Sequence, residues 1–277
     1  MAVARREVLP GFRLAAGVTV AYLSILVLLP LGALLLSASG VGPARLLALV
    51  TTPRALASLR LSVLASLAAA SVNVVCGVLV AWVLERYPFP GRRVVNALVD
   101  LPFALPTAVA GISLCTVYGK NGWIGRFLEP AGIKVAYAPL GVVAALIFVG
   151  FPFVVRSVGP VLRALDPAVE EAAASLGASR LTTFCRVVMP ELLPAAATGF
   201  VLALARGLGE YGSIIFIAGN IPGKTEIVPL LIMIKLEEYD YPGAMALAVC
   251  FLGVSFVLLL ALNALAWRGA LAREATA

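Results

Sequence analysis

Few residues in this chain are equipped for chemistry. Histidine is absent, which removes imidazole acid–base work and His-based metal sites. Cys76, Cys115, Cys185 and Cys250 stand far apart and three lie in apolar runs, so they read as free core thiols rather than ligands or a disulfide framework. Two charges stand deep inside an apolar stretch: Arg206 and Glu210, four residues apart and therefore neighbours on one helix face. Charges at such depth are costly and face a polar cavity or one another. Two roles are open: a structural Arg206–Glu210 pair, or Arg206 as a direct contact for a passing anion. Thr198 and Ser213 fall on the same expected face and complete the candidate pathway. Further on, Lys224 precedes a short apolar segment, where it is either a solvated loop lysine or an anion waypoint at a helix start. The run Ala218-Gly-Asn-Ile-Pro-Gly-Lys-Thr225 comes nearest to a phosphate-binding loop. It has Ala218 where the first glycine belongs and follows an apolar helix instead of a strand, so it is rejected. Without a paired acidic motif or metal ligands, the chain reads as non-catalytic, binding no cofactor or metal of its own.

The elements that position these residues are membrane-length. The 277 residues are 62% hydrophobic and 13% charged, with mean hydropathy +1.04, and apolar runs of about 20 residues recur along them. The reading is an all-α, polytopic membrane protein of six spans: residues 14–36, 61–84, 95–118, 139–158, 192–218 and 243–267. The first run is too long for a cleaved signal segment. Asn73, inside span two, reads as helix-to-helix glue. Span three carries Leu101-Pro102 and Leu105-Pro106, which predict a kink or break; Asp100 at its entrance is expected to stay wet. Trp123 in the following loop reads as an interfacial anchor. Span five carries a small-residue stripe, Ala195, Gly199, Ala203 and Gly207, fit for close packing. After it, Thr225 is placed to cap a ten-residue helix, residues 227–236, too short to cross a bilayer. Glu237, Glu238 and Asp240 form a solvated patch or a surface for an external protein. With both termini cytoplasmic, twelve Lys and Arg lie inside and eight outside, the positive-inside sense. The division is 1–13 cytoplasmic N-terminus, 14–267 transmembrane domain and 268–277 cytoplasmic tail.

One long mixed segment, within 159–190, interrupts the apolar pattern on the cytoplasmic side. Asp166 caps a helix that starts at Pro167, and Glu170 and Glu171 sit in its first turn, where carboxylates favour the dipole. Val169, Ala172, Ala173 and Leu176 form one apolar face. Gly177 ends this helix, Ser179 caps a second one with Leu181, Phe184, Cys185 and Val188 on its apolar face, and Pro190 is expected to close it. Two helices about a glycine also outline a DNA reader, with Arg180 and Arg186 on the second. Flanking spans would pin such a reader against lipid, so membrane lipid is the expected surroundings and nucleic acid is not an expected partner. A plain structured loop fails to account for apolar faces that so short a segment cannot bury alone. Docking on another protein accounts for them.

The spacing Glu171-Ala172-Ala173, Gly177, Val187, Met189 and Pro190 resembles the EAA loop of ABC importer permeases. Val187 and Met189 replace the usual Ile and Leu without loss of apolar character. The resemblance implies that Glu171, Ala172, Ala173, Leu176, Gly177 and Pro190 belong to a coupling helix seated in a groove of a separate ATPase, where ATP and Mg would bind. The runs 205–213, 217–227 and 234–241, including Gly-Glu-Tyr-Gly, Ala-Gly-Asn-Ile-Pro and Lys-Leu-Glu-Glu-Tyr-Asp-Tyr, resemble the T-type permease subunit of sulfate/thiosulfate ABC importers. This second resemblance covers roughly 56–267. It implies a type I importer with a W-type permease partner, two ATPase subunits and a periplasmic sulfate/thiosulfate-binding protein, in the bacterial inner membrane. The alternatives are a molybdate/tungstate permease, which shares the first two elements but lacks the third, and an ATP-independent anion transporter or channel, which leaves the coupling loop without a purpose.

Overall fold

A computed structural model describes residues 11–274; of the expected termini 1–13 and 268–277, residues 1–10 and 275–277 lie outside the described residues. All described secondary structure is helical. In chain order the helices are α1 (Leu14–Ser39, with a π-turn at Ser24–Leu28), α2 (Pro43–Val50), α3 (Pro53–Arg86), α4 (Arg92–Val99), α5 (Leu101–Ala104), α6 (Thr107–Tyr118), α7 (Gly125–Leu128), α8 (Pro139–Ala164), α9 (Pro167–Ser175), α10 (Arg180–Leu208), α11 (Ile214–Ile217), α12 (Val228–Glu237) and α13 (Tyr241–Glu274). Among the described residues five helices are long and apolar enough to cross a membrane: α1, α3, α8, α10 and α13 through Leu265.

The expected third span is broken. Asp100 ends α4 and Leu105 is extended ahead of Pro106, so α4, α5 and α6 are separate, and α6 has 12 residues. At 1.5 Å per residue it spans about 18 Å, short of the ~30 Å hydrocarbon core. The break is tied to α8: Arg156 grips Asp100 with Nε–Oδ1 at 2.7 Å and Nη2–Oδ2 at 2.6 Å, and its Nη1 donates to Asn96 Oδ1 at 2.9 Å. Asp100 is thus half exposed but paired. Arg156 lies inside α8, which runs six residues beyond its expected end at Val158.

The core is α3 against α8 and α10. Small residues let the backbones meet, as expected where lipid supplies no hydrophobic drive between helices. A Cβ on Gly199 would stand 2.8 Å from Val154 Cα, and one on Gly150 only 2.6 Å from Asn73 Nδ2. Gly207 packs on Ser66 and Leu146, so the predicted stripe is a packing seam. Asn73 is buried in the same seam, at 1% exposure. Helix α3 starts at Thr52, whose Oγ1 accepts the Ala55 N–H at 3.4 Å, with Pro53 as its first residue. Around this core, α13 packs on α2, α10, α12 and the C-terminal half of α1.

Two expected boundaries in the fifth span change. Pro190 closes nothing: α10 is continuous from Arg180 through a π-turn at Phe184–Val188 into Met189–Leu208. The proline occupies the first turn after the π-turn, where a missing N–H is tolerated. At the other end the helix stops at Leu208, ten residues before the expected Ala218.

Candidate functional site

The segment expected to dock forms as its local sequence dictates. Asp166 Oδ1 accepts the Ala168 N–H at 2.9 Å, with Pro167 first in the helix. At the far end Ala178 N–H donates to Ala173 O at 3.0 Å and Gly177 N–H to Ala174 O at 2.9 Å, while Gly177 takes φ +81°. This is a Schellman stop, and its left-handed position strains any residue with a Cβ. Ser179 Oγ then accepts the Thr182 N–H at 3.2 Å to start α10. Of the expected docking residues, Glu171 and Ala172 are exposed, Ala173 is half-buried, Gly177 is exposed in its turn and Pro190 lies on the exposed side of α10. Leu176 is 89% exposed, and Val169 and Leu181 are 45% and 72% exposed. Helix α9 and the turn from it into α10 therefore present apolar side chains outward, beyond the reach of their own spans.

Its inner side is fixed by polar contacts. Arg86, at the end of α3, pairs Nε with Glu170 Oε1 at 2.8 Å and donates Nη2 to the Leu165 carbonyl at 3.0 Å. Behind them lies a cavity of about 370 Å³, lined by Trp82, Arg86, Glu170, Glu171, Arg180 and Phe184.

The second predicted cluster is the charged end of α10. Because the helix stops at Leu208, Glu210 is not on a helix face with Arg206; it sits in the turn that follows. The two still pair, Arg206 Nη1–Glu210 Oε2 at 2.6 Å. The other oxygen, Oε1, accepts the Ser213 N–H and Oγ–H, each at 2.8 Å. Glu210 is 1% exposed and both its oxygens are engaged, whereas Arg206 keeps about a third of its side chain exposed (34%). The turn is pressed onto α6: a Cβ on Gly111 would strike the Ser213 carbonyl, and one on Gly212 the Thr107 hydroxyl. Thr198 does not join this cluster. It lies eight residues back, about 12 Å along the helix, exposed, with its hydroxyl donating to Pro194 O at 3.0 Å.

Lys224 does not stand at a helix start either. It is exposed in the turn ahead of α12, whose first residue is Val228. The expected cap at Thr225 is also displaced: its Oγ1 accepts the Ile221 N–H at 2.9 Å, while Ser62 of α3 reaches across to accept the Val228 N–H at 2.9 Å. Sequence reasoning passed over the strongest contact in this region. Arg54 grips Glu226 with Nε–Oε2 at 2.8 Å and Nη2–Oε1 at 2.6 Å, and the Glu226 side chain is fully buried. The only hint was a carboxylate immediately ahead of the apolar run that forms α12. In the last turn of α12, Lys235 bridges Glu238 at 3.0 Å and Asp240 at 3.1 Å, both just beyond the helix. The Gly243 N–H, then the Lys235 ammonium, hold the Asp240 carboxyl below the usual range; Glu238, then Asp240, push Lys235 up.

The short α9, with apolar side chains turned outward, is set between the long apolar helices α8 and α10. Residues 73–273 match the family model described as the binding-protein-dependent transport system inner membrane component. The chain belongs to that family. Relatives of this inner membrane component include the sulfate transport system permease protein CysT of Salmonella typhimurium, 48% identical over 265 residues and 96% of each chain. The protein of the same name from Escherichia coli is 47% identical over 95% of each, and that of Synechocystis 48% identical over 90% of this chain and 87% of its own. In fold the component superposes on a chain of a bacterial ABC transporter that imports the acidic polysaccharide alginate, with TM-score 0.75 at 18% identity over 93% of this chain and 96% of that one. The same transporter in complex with an alginate-bound periplasmic protein gives TM-score 0.75 at 19% identity, over 93% and 95%.

Proposed function

We propose that this chain is the T-type permease subunit of an ATP-driven sulfate/thiosulfate importer, lining half of the pathway and passing ATPase motion to it through α9. The observation that carries this reading is the 48% identity to a sulfate permease over 96% of both chains. The outward apolar face of α9 supports the coupling role. In this reading Glu171, Ala172, Ala173, Leu176 and Gly177 meet a groove on one of two ATPase subunits, with Pro190 in the helix that leads from there into the spans. ATP and Mg bind on that partner, and this chain is non-catalytic. A W-type permease completes the pathway and a periplasmic binding protein delivers the anion. Both termini and the 159–190 loop lie in the cytoplasm, with residues 14–267 as the transmembrane domain and 268–277 as a tail.

The energy source follows from the cargo. Bringing an anion to a negative interior costs about 2.3 kcal/mol per charge per 100 mV, and ATP hydrolysis offsets it. Along the pathway Arg206 is the residue suited to an anion: Glu210, itself held by Ser213, fixes one edge of its guanidinium and leaves part of the side chain exposed. Thr198 and Lys224, apart from this cluster, are at most separate points of passage.

The test is uptake of labelled sulfate in cells with and without the chain, with excess thiosulfate or molybdate as competitor. Loss of uptake on deletion, with competition by thiosulfate and little by molybdate, is expected. Unchanged sulfate uptake with lost molybdate accumulation would overturn the substrate and leave the coupling role standing. In Arg206→Ala, transport is expected to fall with assembly intact; failed assembly would mark the Arg206–Glu210 pair as purely structural.

A further inference from the structure

Helix α3 is clamped at both ends to elements outside the three-helix core. At one end Arg86 holds Glu170 of α9 and the Leu165 carbonyl that leads into it, at 2.8 and 3.0 Å. At the other, Arg54 holds Glu226 through two contacts of 2.8 and 2.6 Å, and Ser62 closes the start of α12. The helix that carries both clamps is 34 residues long, with no proline after Pro53 and no π-turn, about 51 Å of unbroken helix. The other two core helices lack that continuity. Helix α8 contains Pro152 and Pro160. Helix α10 contains Pro194 and its π-turn at Phe184–Val188, and prolines and π-turns are where helices bend.

We propose that α3 is the rod that carries movement of the docked α9 to the α12 corner at the opposite end, and that Arg86 is the positioning residue that fastens α9 to it. Helix α9 has little else to hold it, since its apolar side chains face away from the spans. One guanidinium, only 15% exposed, joins α3, α9 and the end of α8. Without it, a docked α9 shifts on its flanking turns and the spans lag behind.

This inference rests on the ATPase-docking reading, so the test scores docking separately. The complete complex, with its ATPase, second permease and binding protein, is reconstituted in proteoliposomes carrying either the wild-type chain or Arg86→Ala. Three quantities are read: ATPase copurification, sulfate transported per ATP hydrolysed, and the ATP-dependent distance change between spin labels on Leu236→Cys and Trp123→Cys with the native cysteines replaced. In Arg86→Ala the ATPase copurifies normally, transport per ATP falls about fivefold, and the distance change disappears. The swapped pair Arg86→Glu with Glu170→Arg restores both, a rescue that loss of fold would not permit. Should Arg86→Ala fail to assemble, Glu170→Gln is read in its place. Normal transport per ATP in either variant, or a wild-type α12 corner that does not move with ATP, overturns the rod. An ATPase that fails to copurify with the wild-type chain overturns the docking reading itself.

Discussion

At the α9 end, Glu171 and Leu176 stand in the open, with Leu176 89% exposed. At the α12 end, Glu226 is sealed from solvent and both its carboxylate oxygens are held by Arg54. Both regions carry acidic residues beside apolar helices, but they meet opposite demands. A surface that docks on another subunit must leave its apolar side chains uncovered until the partner arrives. An irregular connector folded back into the bundle must pair its buried charge internally, because an unpaired buried charge is expensive. Exposure marks where the chain needs a partner, and full pairing marks where it supplies its own.

The largest effect that tests this contrast is on assembly. Leu176→Asp places a charge on the exposed docking face, so ATPase copurification and transport should fall at least about tenfold, as for loss of a central interface anchor. The thermal stability of the isolated chain should change by no more than about 0.5 kcal/mol, since nothing in the chain covers Leu176. A large drop in stability with normal ATPase recovery would show that the side chain is part of this chain's own core.

The complementary change strikes the other end. Arg54→Ala strands a buried carboxylate and should destabilise the chain by about 3 kcal/mol, the low end for breaking a buried pair because Arg54 is itself 37% exposed. Detergent-solubilised protein should melt correspondingly earlier, while the ATPase still binds. Replacing both partners with apolar residues, Arg54→Met with Glu226→Leu, should recover most of the loss. If Arg54→Ala leaves melting unchanged, the Glu226 carboxylate is not sealed and the contrast between the two ends collapses.

How much of each region was legible in the sequence follows from the same physics. Helix α9 was readable almost residue by residue, because its signals are local: Asp166 and Pro167 at the start, Glu170 in the first turn and a left-handed Gly177 at the stop. The break ahead of α6 was written in Pro102 and Pro106. The start of α10 at Ser179 was readable, but its passage through Pro190 and its end at Leu208 were not. Pro190 reads as a stop signal, but the wider π-turn at Phe184–Val188 just before it lets the helix run on past the proline. The turn around Glu210 read as helix because its four-residue spacing from Arg206 is that of one helix face, and the pair forms even though the helix ends at Leu208. The Arg54–Glu226 pair joins residues 172 positions apart, and no window of sequence displays such a contact. Ser62 taking the capping role expected of Thr225 is hidden for the same reason.

The smallest effect concerns a charge intermediate between the two extremes. Asp240, beside α12, is 34% exposed in its side chain yet accepts the Gly243 N–H at 3.0 Å and pairs with Lys235 at 3.1 Å. Both contacts favour the carboxylate, so its pKa in the folded chain lies below the ordinary value near 3.9. A depressed carboxylate pKa contributes stability that is complete above the ordinary value and lost as pH falls through the depressed one. Lys235 runs the other way: its raised pKa makes its contribution complete below the ordinary lysine value near 10.4 and lost as pH rises through the raised one. The corner is therefore fully tied across the physiological range and loosens only in acid or strong base. Exposure keeps the effect to a few tenths of a kcal/mol. The measurement is the difference in melting temperature between the wild-type chain and Asp240→Asn as a function of pH. That difference should be constant near neutrality and shrink below about pH 4, as the wild-type carboxyl takes up a proton and comes to resemble the amide. A difference that persists unchanged into acid would mean that the Asp240 charge adds nothing beyond its shape. In that event the corner would hold by hydrogen-bond geometry alone, unlike the charged clamp at Glu226 on the other side of α12.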